Sequence, residues 1–306
     1  MLAVLSPGQG SQTPGMLLPW LEDPALADLV GEMSEAARLD LKTLGTTADA
    51  ATITDTTVAQ PLIVAASLVS FAALDVSPGV TAGHSVGELA ALAVAGVIAP
   101  ADAVALAGVR GRAMAGAASA VRSGMSAVVG GAREDVLEAI ARSGASVANV
   151  NSAAQVVAAG TLEQLADLAA NPPARARVIP LAVAGAFHTH LMAGAVAAVR
   201  AAVRDAVAAL EPHDPTVPLL SNRDGAIVTA GRDALDRVVS QITSPVRWDL
   251  CSDQLATMGV DGIIELCPGG VLTGLAKREL RGVPACATTS PEDLIAARAI
   301  AKGLTS

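Results

Sequence analysis

From Val80 to Ala95 the chain reads "VTAGHSVGELAALAVA". It is a short β-prone run, a serine held between Gly83 and Gly87, and an apolar helix-prone run closed by Gly96 in C-cap position. A strand that turns into a helix within three residues needs backbone angles that side chains resist, which accounts for the paired glycines. Strand–turn–helix units of this kind belong to α/β folds, where they expose the turn residue at the carboxyl edge of a parallel sheet. The Gly-x-Ser-x-Gly match alone is compatible with a simple tight turn. Its context adds chemistry, because the helix N-terminus beyond Ser85 offers an unpaired amide, chiefly that of Val86, to an oxyanion.

Other segments repeat this alternation. "LAVLSPGQGSQ" is a short buried strand running into a glycine turn at Pro7, Gly8 and Gly10. Helical patterns cover Ala25–Arg38, Ala59–Asp75 and Leu191–Leu210, and "DGIIELCPGGVLTGLAKREL" reads as strand, glycine turn and helix. From about Gly124 to Ala184 the rhythm changes to strand, helix, two strands, helix and strand, with Thr161 and Gln164 spaced as a capping box. That β-α-β-β-α-β order is the ferredoxin-like unit. The expected fold is therefore α/β. A large α/β-hydrolase-like domain formed by residues 1–122 and 187–306 carries an inserted ferredoxin-like subdomain, residues 123–186, with the active site in the cleft between them.

Composition excludes several classes. The 306 residues are 52% hydrophobic and 16% charged, which fits a packed globular chain. A net charge of −9, the absence of basic runs and only four Phe and Trp residues argue against nucleic acid as a partner. Apolar stretches such as "ALAVAGVIAPADAVALAG" are broken by Gly, Pro and Asp, so no membrane span is expected. The N-terminus lacks a basic leader region, and a cytoplasmic location is expected. Cys251, Cys267 and Cys286 are too widely spaced for a zinc knuckle and odd in number for a disulfide framework.

A serine nucleophile needs a base, and four histidines compete. His84 follows an extended segment next to Ser85 and points to the opposite face, as a packed, hydrogen-bonded core residue would. His213 lies in the surface-type loop "EPHDP". His188 and His190, in "GAFHTHLM", stand at the subdomain boundary, and spacing does not choose between them. No acidic or cysteine residue accompanies that pair in register, so no metal site is expected.

The motifs "SPGQGSQ", "VAQP", "AGHSVGE", "VRGRAM", "GMSAVVGG", "NVNSAAQVVAAG", "GAFHTHLM", "SPVRW" and "CPGGVLTGLAKR" occur in this order from Ser6 to Arg278. Together they resemble the malonyl-CoA:acyl carrier protein transacylases of dissociated, bacterial-type fatty acid synthesis, whose motifs polyketide synthase acyltransferase domains largely share. The resemblance implies Ser85 as the acylated nucleophile and His188 as its base, oriented by a main-chain carbonyl at Gln241 rather than by a carboxylate. It implies an oxyanion hole from the amides of Gln9 and Val86, and Arg110 as the partner of the substrate's free carboxylate. Met114, Asn151 and Phe187 would line the substrate pocket, with Asn149 and Gln155 nearby, and Lys277 and Arg278 are candidates for carrier docking. Ser244 departs from the family's usual Asn before Pro-Val-Arg-Trp. The implied partners are malonyl-CoA and an acyl carrier protein, with no cofactor and a monomeric state. Rival readings are a discrete polyketide-pathway acyltransferase, a serine thioesterase or esterase, and a non-catalytic carrier-binding protein.

Overall fold

The computed structural model describes residues 1–183, 185–210 and 212–303. Its centre is a sheet whose strands run, across the sheet, Ala285–Ala287, Gly262–Glu265, Leu2–Ser6, Val80–Gly83, Leu219–Leu220 and Ile227–Val228. The first five are mutually parallel and the last pairs antiparallel at the edge. Helices cover the sheet, and its central strands are buried along their whole length. This explains why "LAVLS", "VTAG" and "GIIE" do not alternate in polarity.

The longest apolar helix, Thr56–Leu74, has a mean hydropathy of 1.8 and is long enough to cross a bilayer. Most of it is buried in the main hydrophobic core, where it packs against the Pro100–Ser119 helix. The sequence reads as helical over Ala59–Asp75, and the observed helix begins three residues earlier, at Thr56, behind the Asp55 N-cap.

Residues 123–180 form a second sheet on one side of the first. Strands Ala176–Pro180, Ser123–Gly130, Gln155–Thr161 and Ser146–Ser152 pair antiparallel in that spatial order, with helices Arg133–Arg142 and Leu162–Ala170 packed beside a small separate core. Thr161 and Gln164 form the expected reciprocal cap. A fifth strand comes from a distant part of the chain: Val246–Arg247 pairs parallel with Asn149–Val150. An ion triad reinforces the junction, Arg133 and Arg247 both meeting the carboxylate of Asp249 at 2.9 Å.

Strands Leu2–Ser6 and Val80–Gly83 are neighbours in register, Ser6 opposite Gly83. Their following loops, Pro7–Gln12 and His84–Val86, therefore emerge side by side at the carboxyl edge, facing the second sheet.

Candidate active site

The turn at Ser85 is fixed by steric exclusion. A Cβ on Gly83 would lie 2.0 Å from Gly87 backbone atoms, and one on Gly87 would lie 2.3 Å from the Ser6 carbonyl oxygen. Only hydrogen fits at either position. Ser85 itself sits at φ 55, a left-handed conformation that non-glycine residues rarely hold. The Gly87–Val94 helix starts immediately beyond it, with Val86 at its N-cap.

His188 comes from the other side of the cleft, also at positive φ (62). Its turn is braced by Thr189 Oγ1 donating to the Ala186 carbonyl and Ala186 N–H donating to Ser123 Oγ. His188 Nε2 lies 2.7 Å from Ser85 Oγ, and Nδ1 lies 2.9 Å from the Gln241 main-chain carbonyl. A carbonyl can only accept, so Nδ1 carries the proton and Nε2 is left to accept from the serine hydroxyl. Burial, and then the charge of Arg110, push the His188 pKa down to about 3, so the resting imidazole is neutral. His190 is exposed, and geometry selects His188.

Arg110 projects from the Pro100–Ser119 helix and is 1% exposed. Its guanidinium donates to Gln60 Oε1 at 2.8 Å and to Gln241 Oε1 at 2.9 Å, with Ser85 Oγ at 3.5 Å. Its Nε is buried with no partner. Burial lowers its pKa to about 10, which leaves it charged near neutrality.

Gln9, Val86, Arg110, Met114, Phe187 and His188 all border one pocket, together with Met125 and Asn149 from the second sheet. The main-chain N–H groups of Gln9 and Val86 donate to no other group among the described residues. Gln9 anchors its turn through Nε2 to Thr56 Oγ1 at 3.3 Å, and Ser11 Oγ closes it onto the Gly8 carbonyl.

Asn151 is placed differently from a pocket wall. Its Oδ1 meets His84 Nε2 at 2.9 Å and its Nδ2 donates to Gln155. His84, tilted against Trp248, thus ties the Ser85 turn to the second sheet. His213 is exposed. Among the described residues no three His, Cys, Asp or Glu side chains gather as a metal site requires, and the three cysteines are free thiols.

A buried polar cluster beneath the serine had no signal in the sequence reading. Glu88 accepts from Asn222 N–H at 2.5 Å and from Gln241 Nε2 at 2.6 Å. Asn222 Oδ1 accepts from Ser85 N–H, and its Nδ2 donates to the Gly83 carbonyl. Gln60 also went unassigned, although it sits in the quoted "VAQP" stretch.

The acyl transferase domain family model matches residues 4–294. A malonyl CoA-acyl carrier protein transacylase of Mycobacterium tuberculosis is 54% identical over 303 residues, 96% of this chain and 98% of that protein. The chain belongs to the malonyl-CoA:acyl carrier protein transacylase family. The Escherichia coli member is 35% identical, again over 96% of this chain and 98% of its own length. A crystal structure of the family's Mycobacterium tuberculosis member superposes with a TM-score of 0.91 at 53% identity, covering 96% and 98% of the two chains. A further family structure, described as a malonyl-transacylase in complex with its type II PKS acyl-carrier protein, superposes at 0.88 with 30% identity over 97% of this chain and 98% of that one. The protein is thus an acyltransferase with a mixed α/β fold.

Proposed function

We propose that this acyltransferase moves a malonyl group from malonyl-CoA to the phosphopantetheine thiol of an acyl carrier protein through a malonyl-Ser85 ester. The observation that carries the reading is the burial of Arg110 within 3.5 Å of the same Ser85 hydroxyl that contacts His188. A fixed cation beside the nucleophile suits an acyl group that ends in a carboxylate, and a thioesterase or esterase has no use for it.

His188 Nε2 takes the Ser85 proton as Oγ attacks the thioester carbonyl, and the amides of Gln9 and Val86 receive the oxyanion. The imidazolium then gives its proton to the departing coenzyme A thiolate. In the second half the carrier thiol attacks the ester by the same route in reverse. The depressed basicity of His188 has a direct consequence for this cycle. A substrate carboxylate seated on Arg110 cancels part of the charge that opposes protonation of His188, so the correct substrate strengthens its own base. The Gln241 carbonyl orients the ring without adding a third charge.

The chain order divides the fold into a large α/β-hydrolase-like domain, 1–122 and 187–306, and a ferredoxin-like insert, 123–186. The four antiparallel insert strands, in spatial order fourth, first, third, second, support the latter. Met114 and Phe187 bound the acyl pocket, and bulk there excludes an α-methyl branch. No cofactor takes part. A polyketide-type carrier is a second candidate acceptor, supported by the likeness to the carrier-bound transacylase.

Intact-protein mass spectrometry after brief mixing with malonyl-CoA tests the reading. A malonyl adduct on the wild type and none on Ser85→Ala is expected. Free coenzyme A accumulating without an adduct indicates a hydrolase and overturns it.

A further inference from the structure

Resting on that reading, we infer that Glu88 is a positioning residue whose ionised carboxylate sets the polarity of the Gln241 side chain, and through it the orientation of Arg110 toward the substrate carboxylate. Glu88 lies in the Gly87–Val94 helix, is 5% exposed and does not reach Ser85 Oγ. Both of its oxygens are acceptors: Oε1 takes the Asn222 N–H and Oε2 takes Gln241 Nε2. Gln241 Nε2 has two further acceptors, the Ser85 carbonyl and Asn222 Oδ1, each at 3.2 Å, so the Glu88 contact is the shortest of three. With its NH₂ end held there, the other end of the carboxamide can only accept, and it meets Arg110 at 2.9 Å. Donors and acceptors are therefore ordered from Asn222 through Glu88 and Gln241 to Arg110.

A donor placed at Glu88 Oε2 breaks this order. Protonated Glu88 turns a hydrogen toward Gln241 Nε2, and so does the carboxamide of a Glu88→Gln variant whose oxygen is kept by the Asn222 N–H. Two donors then face each other. Gln241 must rotate or withdraw, and either movement takes Oε1 from Arg110. The charged and titratable groups around Glu88 are Arg110 on the Pro100–Ser119 helix, Arg237 on the Gly231–Gln241 helix and the Cys251 thiol on the Trp248–Thr257 helix. The two arginines favour the carboxylate, while burial outweighs them and raises the Glu88 pKa to about 7. The thiol is pushed far up by burial and stays neutral. His188, held near 3, also stays neutral over the range where Glu88 titrates.

The test is the ratio of Ser85 acylation rates with malonyl-CoA and acetyl-CoA, from pH 5 to 9, for the wild type and Glu88→Gln, with melting temperatures in parallel. In the wild type the malonyl preference is expected to fall as pH drops through about 7. In Glu88→Gln it is expected to be lower by about ten-fold, the scale of one charge-assisted hydrogen bond, through KM for malonyl-CoA and without pH dependence. A folded Glu88→Gln enzyme with the wild-type ratio and profile overturns the inference. A wild-type ratio that is flat between pH 6 and 8 overturns it without any variant. No adduct on the wild type at any pH instead overturns the transacylase reading, and this inference with it.

Discussion

Replacing Arg110 with alanine removes the group proposed to hold the substrate carboxylate, and the structure allows the loss to be sized. Two charge-assisted bonds to a carboxylate contribute about 1.5–3 kcal/mol each, so the malonyl preference over acetyl should fall by about 10²–10⁴-fold. The same substitution leaves Gln60 Oε1 and Gln241 Oε1 as buried acceptors without a donor, at about 1–3 kcal/mol each, so the melting temperature should drop as well. The two effects separate in the assay, because lost stability changes the amount of folded enzyme but not the ratio of its rates. The rates of mass-adduct formation with each thioester supply that ratio. The charge of Arg110 also helps to depress His188, so the variant's acid limb should move to higher pH. A folded Arg110→Ala enzyme whose malonyl preference falls by less than about ten-fold from the wild-type value would refute the assignment of the carboxylate to this guanidinium.

Stability should respond to pH through two opposed groups. Glu88 titrates near 7 when folded against 4.5 as its ordinary value, so the native state binds the extra proton and stability falls by about 3 kcal/mol as pH rises through that window. His188 titrates near 3 against 6.5, so the unfolded state binds the extra proton and stability rises by about 5 kcal/mol between those values. The two nearly cancel between 4.5 and 6.5, and Glu88→Gln should expose a slope of about 1.4 kcal/mol per pH unit in urea titrations; a flat series contradicts this. Gly87→Ala drives a methyl group to 2.3 Å from the Ser6 carbonyl and should cost about 3 kcal/mol or more, with near-neutral stability as the contrary result. Gly8→Ala sets its methyl group 2.6 Å from the His84 carbonyl and displaces the neighbouring Gln9 amide. It should lower kcat by about 10²–10³-fold with little change in KM, whereas a KM effect alone would remove Gln9 from the oxyanion site.

What the sequence made legible was local. The short strands of the insert and the capping box at Thr161 depend on residues a few positions apart, and they occur where the sequence implies. Ser85 stood out because its turn is written in adjacent glycines. Glu88, Asn222 and the Gln241 side chain did not, because no periodicity relates positions so far apart in the chain, and only the tertiary fold brings them into contact. Asn149 and Asn151 show a subtler gap. Register shifts between Val147 and Asn149 and between Val150 and Ser152 interrupt their strand, which simple alternation does not foresee. One borders the pocket and the other holds His84. The Val246–Arg247 strand, two residues long, is below any pattern threshold.

That two-residue strand bears on how the protein can be engineered. Gln241, a few residues before it, accepts from His188 Nδ1 through its carbonyl, while the strand's own hydrogen bonds complete a sheet built from residues more than sixty positions upstream. A chimera that exchanges residues 123–186 for those of a relative inherits a sheet edge shaped for a foreign strand. Grafts should therefore carry the 241–249 segment with the insert, including Asp249, which Arg133 needs as its partner.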